Sequence, residues 1–360
     1  MEDILVKLGF TEQLLQEASF YEGLVPGRVV SQSRDLYRVS TAAAEVIAKV
    51  SGKFRYEVLT ASDFPTVGDY VMLDRSESGS GNAIIHHLLK RKSLFERKAA
   101  GKGQETQLIA ANIDTVFICM ALNSDYNLRR LERYLSITWA GGAIPVVVLT
   151  KADLCLEQEA KLAEVATVAA SADILVTSSL TEEGYRPIRN YIKTGKTVAF
   201  VGSSGVGKST LINRLLGEDL ITTRAIRKDD KGRHTTTRRE LILISSGGAV
   251  IDTPGMRELG VESADLAKTF ADIELLAEKC RFSDCTHTSE PQCAVKLAVG
   301  AGEISEKRLE NYRKLKKEVR YEGLNAKQIE KEKVNAMFSG FGGIKNARDF
   351  AKNKNKSKYK

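Results

Sequence analysis

The sequence of 360 residues contains no long apolar run: none approaches the roughly 20 residues that a membrane-spanning helix needs. It also lacks the arrangement of a secretory signal peptide, because the first residues, MEDILVKLGF, have no basic stretch followed by an apolar one. From these two absences we expect a cytoplasmic protein without a membrane partner. We further expect a monomer.

Cysteine is scarce, and its pattern disfavours a disulfide-stabilised protein. There are five cysteines, an odd number, and Cys119 and Cys155 lie far from the other three. Cys119 belongs to the apolar run VFICMAL, so we expect its thiol to lie in the core. Internal repeats of about 20 to 50 residues are also absent, which disfavours a repeat architecture.

Acidic residues are outnumbered, with 46 Asp and Glu against 54 Lys and Arg and a net charge of +8. Excess positive charge favours polyanionic partners such as RNA, because each neutralised phosphate releases counterions. Ordinary basic soluble proteins share this property, so charge alone does not identify RNA. From Lys352 the chain reads KNKNKSKYK, and we expect a disordered basic tail over residues 326–360.

A chain of this length is expected to hold about two or three domains. In its first part, apolar and polar residues alternate as in short β-strands. Residues 1–24 predict a helical extension. We expect one short amphipathic helix within residues 1–20, with an apolar stripe at Ile4, Leu5, Leu8, Leu14 and Leu15. Residues 25–95 predict a five-stranded OB-like barrel that binds RNA. Its strand-like runs lie at residues 28–32, 36–41, 45–50, 55–60, 69–74 and 83–89.

The hydrophobicity pattern changes near residue 113, where apolar runs begin to alternate with helical stretches. The runs lie at residues 114–122, 145–150, 173–179, 197–202, 240–244 and 249–255, with helical patterns near 127–140, 157–171 and 184–194. Apolar strands with helical crossovers predict a parallel sheet covered on both faces. We therefore expect an α/β domain over residues 96–260, followed by a helical domain over residues 261–325.

The sharpest motif is a phosphate-binding loop at residues 202–209, which matches G-x-x-x-x-G-K-[ST] between a strand-like run and a helical one. The glycines let backbone N–H groups surround phosphates, and the following helix adds its dipole. Lys208 is expected to reach the β- and γ-phosphates, and Ser209 to ligate Mg²⁺. The predicted nucleotide contacts of this segment are Gly202, Ser203, Ser204, Gly205, Val206, Gly207, Lys208, Ser209 and Thr210.

Two further segments complete the expected phosphate and magnesium site. Asp252 and Gly255 of DTPG end an apolar run, as in the Walker-B element of GTPases, where the Gly N–H senses the γ-phosphate. The polar segment 231–238, KGRHTTTR, lies in the interval of switch I, in which a Thr completes the Mg²⁺ shell. We assign that role to Thr236, with its two threonine neighbours as alternatives.

Two strand ends upstream carry the residues expected to recognise guanine. TKAD at residues 150–153 resembles the [N/T]KxD motif, whose carboxylate accepts hydrogen bonds from guanine N1–H and the exocyclic amine. TSS at residues 177–179 resembles the element that offers a backbone N–H to guanine O6. The predicted base contacts are Thr150, Lys151, Asp153, Thr177 and Ser178.

The order of these motifs departs from that of ordinary GTPases, in which the phosphate loop comes first. Here both guanine motifs precede the loop, and DTPG comes last. The same doubly wound sheet forms if the chain is circularly permuted, with the original termini joined near residues 191–197. An OB-like barrel followed by this arrangement resembles the RsgA (YjeQ) family of small-ribosomal-subunit-dependent GTPases, over roughly residues 25–325.

A cluster of metal-binding side chains follows at residues 280–293, CRFSDCTHTSEPQC. Cys280, Cys285, His287 and Cys293 form a closed Cys₃His set suited to structural, tetrahedral Zn²⁺. The spacing differs from the C-x₂-C of common zinc fingers, so the residues alone leave open a set of scattered buried thiols. The resemblance to the RsgA family, whose C-terminal zinc domain has similar spacing, implies one Zn²⁺ per chain.

The water-activating group is less evident. Ras-like GTPases place a Gln directly after the DxxG glycine, but Met256 stands there and a thioether cannot orient water in that way. The family resemblance implies that His234 takes this role. The alternative is that His234 contacts ribosomal RNA or has no contact at all. Lys208 and Thr236 complete the predicted catalytic set.

The residues and the resemblance together predict a multidomain α/β protein. It comprises an OB-like β-barrel, a circularly permuted P-loop GTPase domain and a C-terminal helical zinc-binding domain. The resemblance implies hydrolysis of GTP to GDP with Mg²⁺, stimulation by the small (30S) ribosomal subunit and its rRNA, and a role in subunit maturation. The alternatives are a translation-factor-like ribosomal GTPase and a non-catalytic RNA-binding module, the latter disfavoured by intact Lys208, Ser209 and Asp252.

Overall fold

The computed structural model describes residues 2–77, 79, 81–98, 106–123, 125–178, 182–216, 240–244, 247–252 and 265–321, with isolated residues up to 346. The strands are β1 (Val25–Ser33), β2 (Leu36–Thr41), β3 (Glu45–Val50), β4 (Tyr70–Leu73), β5 (Ala83–Leu88), β6 (Leu94–Lys98), β7 (Thr106–Ala111), β8 (Thr115–Ala121), β9 (Ile144–Thr150), β10 (Asp173–Val176), β11 (Thr197–Val201), β12 (Glu240–Leu243) and β13 (Ala249–Asp252). The helices are α1 (Glu2–Lys7), α2 (Glu12–Ser19), α3 (Gly52–Glu57), α4 (Leu128–Ala140), α5 (Gln158–Val168), α6 (Glu182–Arg189), α7 (Lys208–Leu216), α8 (Leu266–Thr269), α9 (Ala271–Ala277), α10 (Ala294–Gly300) and α11 (Glu306–Arg320).

Strands β1 to β5 close into a barrel. Their order is β1-β2-β3-β5-β4, and β4 pairs back onto β1 with Gly27 opposite Val71. Side chains such as Val29, Val39 and Ile85 are fully buried in its interior. The predicted five-stranded OB-like barrel is therefore confirmed.

One of the six expected barrel strands is wrong, because residues 55–60 include the end of α3. The hydroxyl of Ser51 accepts a hydrogen bond from the N–H of Phe54 at 3.0 Å and starts the helix. The N–H of Val58 then donates to the carbonyl of Phe54 at 3.1 Å. Tyr56 and Val58 alternate with polar residues, and this alternation concealed the helical spacing from Phe54 to Val58.

The N-terminal extension contains two short helices where one was expected. Gly9 interrupts them with φ +95°, and the hydroxyl of Tyr70 donates to its carbonyl at 2.8 Å. A Cβ at Gly9 would lie 2.5 Å from that hydroxyl oxygen, so the close approach requires glycine. Leu5 and Leu8 of the expected stripe are buried with barrel residues, whereas Ile4 is exposed.

The second part of the sheet has the order β10-β9-β8-β11-β13-β12, and the first five of these strands are parallel. Side chains of α4 and α5 pack in one core cluster, and those of α6 and α7 pack in another with the alternate strand residues. The predicted parallel sheet with two covered faces is confirmed. Cys119 of β8 lies in this core, where burial raises the pKa of its thiol to about 12.

Strand β12 departs from the parallel arrangement. It runs antiparallel to β13, with Leu241 opposite Ile251, because residues 244–248 are too few for a crossover. It also pairs with β1 at Ser31 opposite Glu240, so the barrel and the α/β sheet form one 11-stranded sheet. No sequence pattern indicated that the two sheets are continuous.

A hairpin of β6 and β7, with Leu94 opposite Ala111, lies between the barrel and β8 and was not predicted. Among the described residues, those up to Leu315 form one compact unit, and those from Lys316 onward belong to a second. The domain boundaries expected after residues 24, 95, 260 and 325 stay predictions. Among the described helices, none combines the length and apolar composition needed to cross a membrane.

Arg28 of β1 joins three parts of the first unit and is only 1% exposed. Its Nη1 donates to the carbonyl of Leu8 at 2.7 Å, its Nη2 to the hydroxyl of Thr197 at 2.7 Å, and its Nε to the carbonyl of Gly68 at 3.3 Å. Its guanidinium also lies 4.8 Å from the ring centroid of Tyr70. The extension, the barrel and the start of β11 therefore meet at one side chain.

Arg308 of α11 joins the helical region to the α/β sheet. It pairs with Glu132 of α4, whose other carboxylate oxygen accepts from the amide of Asn311. It also forms two hydrogen bonds of 2.8 Å with the carboxylate of Asp272 on α9. Arg308 and Glu132 are both buried, so each charge is compensated by the other instead of by water.

Candidate nucleotide-binding site and metal site

The phosphate-binding loop begins where β11 ends at Val201. Gly202 has φ +137°, and a Cβ there would lie 2.2 Å from the carbonyl oxygen of Cys119 on the neighbouring strand. Gly205 and Gly207 also have positive φ angles of +79° and +100°. The loop conformation therefore depends on glycine at Gly202 and Gly207, which the motif requires, and at Gly205, which the motif leaves open.

Lys208 starts α7 and reaches back across the loop. Its Nζ donates to the carbonyls of Gly202 at 2.7 Å and Ser203 at 2.5 Å. Ser204 is exposed, and Ser209 and Thr210 are half-buried in the first turn of α7. An ammonium group beside the free N–H groups of a helix start forms an anion-binding site.

The first guanine motif lies directly beside the phosphate loop. Thr150 ends β9, and its hydroxyl donates to the carbonyl of Val206 at 2.6 Å. Lys151 follows in the left-handed region with φ +58°, which turns the chain into the short 3₁₀ turn containing Asp153. Two segments more than 50 residues apart thus share one buried hydrogen bond.

The second guanine motif completes this group. The hydroxyl of Ser178 donates to Oδ1 of Asp153 at 2.7 Å, and the N–H of Ala152 donates to the carbonyl of Thr177 at 3.2 Å. A Cβ at Gly184 would lie 2.2 Å from the carbonyl oxygen of Ser178, so the start of α6 packs closely against this turn. The motif search missed Gly184, whose only signal is its place at a helix start.

The structure brings together the predicted residues of the loop and of both guanine motifs, at the carboxyl ends of β9, β10 and β11. This edge of a parallel sheet is where doubly wound folds bind nucleotides. By its backbone, Asp252 is the last residue of β13, and β13 pairs with β11. His234, Thr236 and Gly255 lie outside the described residues, and their assigned roles stay predictions.

The predicted zinc ligands also converge. The Sγ atoms of Cys280 and Cys293 lie 3.8 Å apart, and Nδ1 of His287 lies 3.7 Å and 3.4 Å from them. With Cys285, all four ligand atoms lie within 4.8 Å of one another. Zn–S bonds of about 2.3 Å and a Zn–N bond of about 2.0 Å require tetrahedral ligand separations of about 3.5–3.8 Å. The three separations among Cys280, His287 and Cys293 are close to this range, and the four residues together are compatible with one Zn²⁺.

Helix α10 begins at this cluster and supplies donors to its sulfurs. The N–H of Lys296 donates to Sγ of Cys293 at 3.5 Å, and the N–H groups of Ala294 and Val295 face Sγ of Cys280. Burial raises the pKa of the Cys280 thiol, but these donors and the Cys293 thiol lower it by more. The pKa of Cys280 therefore lies below the ordinary thiol value. The thiolate form is thereby favoured at Cys280, whereas burial and the neighbouring thiols raise the pKa of Cys285 to about 11.

Sequence comparisons place the chain among known proteins. A family model described as RsgA GTPase matches residues 88–262, and one described as ABC transporter matches residues 185–340; both ranges contain the phosphate loop. Small ribosomal subunit biogenesis GTPase RsgA 2 of Lactiplantibacillus plantarum is 50% identical over 342 residues, 95% of this chain and 96% of that protein. Small ribosomal subunit biogenesis GTPase RsgA of Methanosarcina acetivorans is 43% identical, over 91% of this chain and 90% of that protein.

Solved structures share the architecture. YjeQ from Thermotoga maritima matches with a TM-score of 0.60 and 30% identity, over 82% of this chain and 99% of that chain. YloQ, described as a circularly permuted GTPase, matches with a TM-score of 0.58 and 24% identity, over 83% of this chain and 96% of that chain. The latter similarity confirms the permuted fold. With 50% identity to a curated relative over 95% of its length, the chain belongs to the RsgA family of GTPases.

Proposed function

We propose that this chain hydrolyses GTP with Mg²⁺ and acts in the maturation of the small (30S) ribosomal subunit, in contact with its rRNA. The observation that carries the proposal is the convergence of three distant motifs through the Thr150–Val206 and Ser178–Asp153 hydrogen bonds. The names of curated relatives, small ribosomal subunit biogenesis GTPases, support the choice of partner. The net charge of +8 is compatible with an RNA surface.

In this proposal Asp153 accepts hydrogen bonds from guanine, and Ser178 keeps its carboxylate in place. Lys208 and the backbone of the loop bind the β- and γ-phosphates, where negative charge increases in the transition state. Mg²⁺ would be held by Ser209 and Thr236 and would neutralise phosphate charge. Asp252 and Gly255 would complete the site from the end of β13.

His234 is proposed to orient the attacking water, because Met256 at the usual position has no group that can do so. A group of this kind acts mainly in the transition state. His234→Ala should therefore lower turnover in the presence of small subunits and leave GTP affinity nearly unchanged. Normal turnover in that variant would exclude the role.

We also propose one structural Zn²⁺ per chain, held by Cys280, Cys285, His287 and Cys293. The ligand separations support a closed tetrahedral site, which has no open position for a substrate. Its contribution is to the folding of residues near 270–300, a segment too small to build its own core.

The function is tested by GTP hydrolysis of the full chain alone, with isolated small subunits and with complete ribosomes. We expect stimulation by small subunits, and a loss of about 10²–10³-fold in turnover for Lys208→Ala. Lys193→Ala is the matched control, since Lys193 is exposed in the turn before β11, at the opposite end of that strand. Stimulation only by complete ribosomes would favour a translation-factor-like role, and no hydrolysis in any mixture would favour a non-catalytic RNA-binding module.

Base recognition is tested separately. Asp153→Asn should shift the nucleotide preference from GTP toward XTP, because an amide can donate to the 2-oxo group of xanthine. Asp173→Asn, at the opposite end of β10, serves as the control. Competition binding with GTP, ATP and XTP measures the shift, and equal affinity of the unchanged chain for ATP and GTP would refute the guanine assignment.

A further inference from the structure

Glu290 lies in the loop between two of the proposed zinc ligands but is not one of them. Its Oε1 accepts hydrogen bonds from the N–H of Thr286 at 2.8 Å and from the hydroxyl of that residue at 2.5 Å. Its Oε2 accepts from the N–H of Thr288 at 2.8 Å and from that of Ser289 at 3.1 Å. One half-buried carboxylate thus binds three backbone N–H groups of the segment that contains His287.

His287 needs such support because of its backbone conformation. Its φ of +59° lies in the left-handed region, which is disfavoured for residues with a side chain. The N–H groups on both sides of it, at Thr286 and Thr288, are held by Glu290, and its own N–H faces the sulfur of Cys285. Glu290 therefore restrains the backbone on both sides of His287.

We propose that Glu290 is a positioning residue for the zinc site, which holds His287 in the ligating conformation before the metal binds. The inference rests on the zinc site proposed above. Groups that orient a metal ligand without touching the metal reduce the reorganisation needed for binding, and their loss weakens metal affinity by about 10- to 100-fold. Glu290 would act through the backbone on either side of the ligand.

The charge of Glu290 suits this role. The hydroxyl of Thr286 is the largest cause that keeps the pKa of this carboxyl well below its usual range, and backbone N–H groups add to it. The group is therefore ionised at neutral pH and accepts on both oxygens. Glutamine has a similar shape but replaces one acceptor oxygen with an NH₂ donor, which faces backbone N–H groups unfavourably.

The experiment uses the full-length, zinc-loaded chain and its variants Glu290→Gln and Glu290→Ala. The rate of Zn²⁺ release to a chromogenic chelator should rise about 10-fold for Gln and up to about 100-fold for Ala. Asp284→Asn is the matched control, because Asp284 is an exposed carboxylate of the same loop with no hydrogen bond among the described residues. Its release rate should stay within about two-fold of the unchanged chain.

Two further measurements separate positioning from general stability. The ligand-field absorption of the Co²⁺-substituted chain should change in the Glu290 variants, since the imidazole moves, and GDP affinity should not. Release rates and spectra equal to those of Asp284→Asn would overturn the inference, as would a parallel loss of GDP affinity. Absence of zinc from freshly purified, unmodified chain would instead refute the proposed zinc site itself.

Discussion

Arg28 and Arg308 each connect several elements at a junction of the molecule, but the partners of the two arginines differ in charge. Arg28 joins the barrel and the N-terminal helices to β11 by donating to neutral oxygens, at Leu8, Gly68 and Thr197. Arg308 joins α11 to α4 and α9 through carboxylates. The first junction also has backbone pairing between β1 and β12. Among the described residues, strand pairing does not contribute to the second.

This difference predicts how much stability each junction loses when its arginine is replaced. Neutral acceptors lose hydrogen bonds when Arg28 is replaced, but the nearby buried carboxylate of Asp69 keeps its ion pair with Arg91. Removing Arg308 leaves the buried carboxylate of Glu132 with Asn311 alone, and an uncompensated buried charge is far more costly. The second junction should therefore be the more sensitive one, and it also depends on a segment that the proposed zinc site stabilises.

The largest effect should follow loss of the metal. Cys285→Ser should release zinc and unfold residues near 270–300, since structural zinc contributes about 10–16 kcal/mol of folding free energy. Trp139 is the single tryptophan of the chain, and Nζ of Lys268 lies 4.9 Å from its ring centroid, so its fluorescence reports on the second junction.

Elemental analysis and Trp139 emission measure these changes, with Cys155→Ser as the control because that thiol lies outside the cluster. We expect the variant to lose zinc and shift its emission while the control keeps both. Unchanged emission after complete zinc loss would show that the second junction does not need the metal.

Arg308→Ala comes next, with an expected loss of about 3–5 kcal/mol in unfolding free energy. Arg129→Ala is matched to it, because Arg129 pairs with Glu310 across the same two helices but both side chains are half exposed. That control should cost only about 0–1 kcal/mol. Denaturant titrations followed by Trp139 fluorescence compare the two, and similar losses would contradict the importance of burial.

Arg28→Met should have the smallest of the three effects, about 2–3 kcal/mol, since the acceptors it leaves unpaired are neutral. Arg34→Met provides the control, as Arg34 is exposed in the turn between β1 and β2. The same titrations, followed by circular dichroism, measure the change. A loss larger than that of Arg308→Ala would reverse the comparison between the junctions.

The convergence of the proposed nucleotide contacts was largely predictable because their motifs are local. TKAD, TSS and the phosphate loop each follow an apolar run, and carboxyl ends of neighbouring parallel strands meet at one edge. The hydrogen bond from Thr150 to Val206 was not predictable, since it depends on the separation of β9 and β11 across β8. Thr150 differs from the Asn of many GTPases, yet its hydroxyl still connects the base motif to the loop.

The misread elements have a common cause. Residues 55–60 alternate like a strand, but the Ser51 cap and the burial of Phe54 select a helix. The break at Gly9 depends on Tyr70, which is 61 residues away in sequence. Periodicity reports which residues can share a face, whereas caps and distant contacts decide which of two compatible structures forms.

The amino-acid sequence by itself determined which residues are proposed for the chemistry of this chain: the glycines and Lys208 of the phosphate loop, the guanine motifs and the Cys₃His set, together with their permuted order. Each of these signals is contained in a few neighbouring residues. Only the tertiary structure decided the continuity of the two sheets, the partners of Arg28 and Arg308, and the bonds of Glu290 around His287. Those features arise from side chains brought together by packing, and their positions depend on the whole fold rather than on any short stretch of sequence.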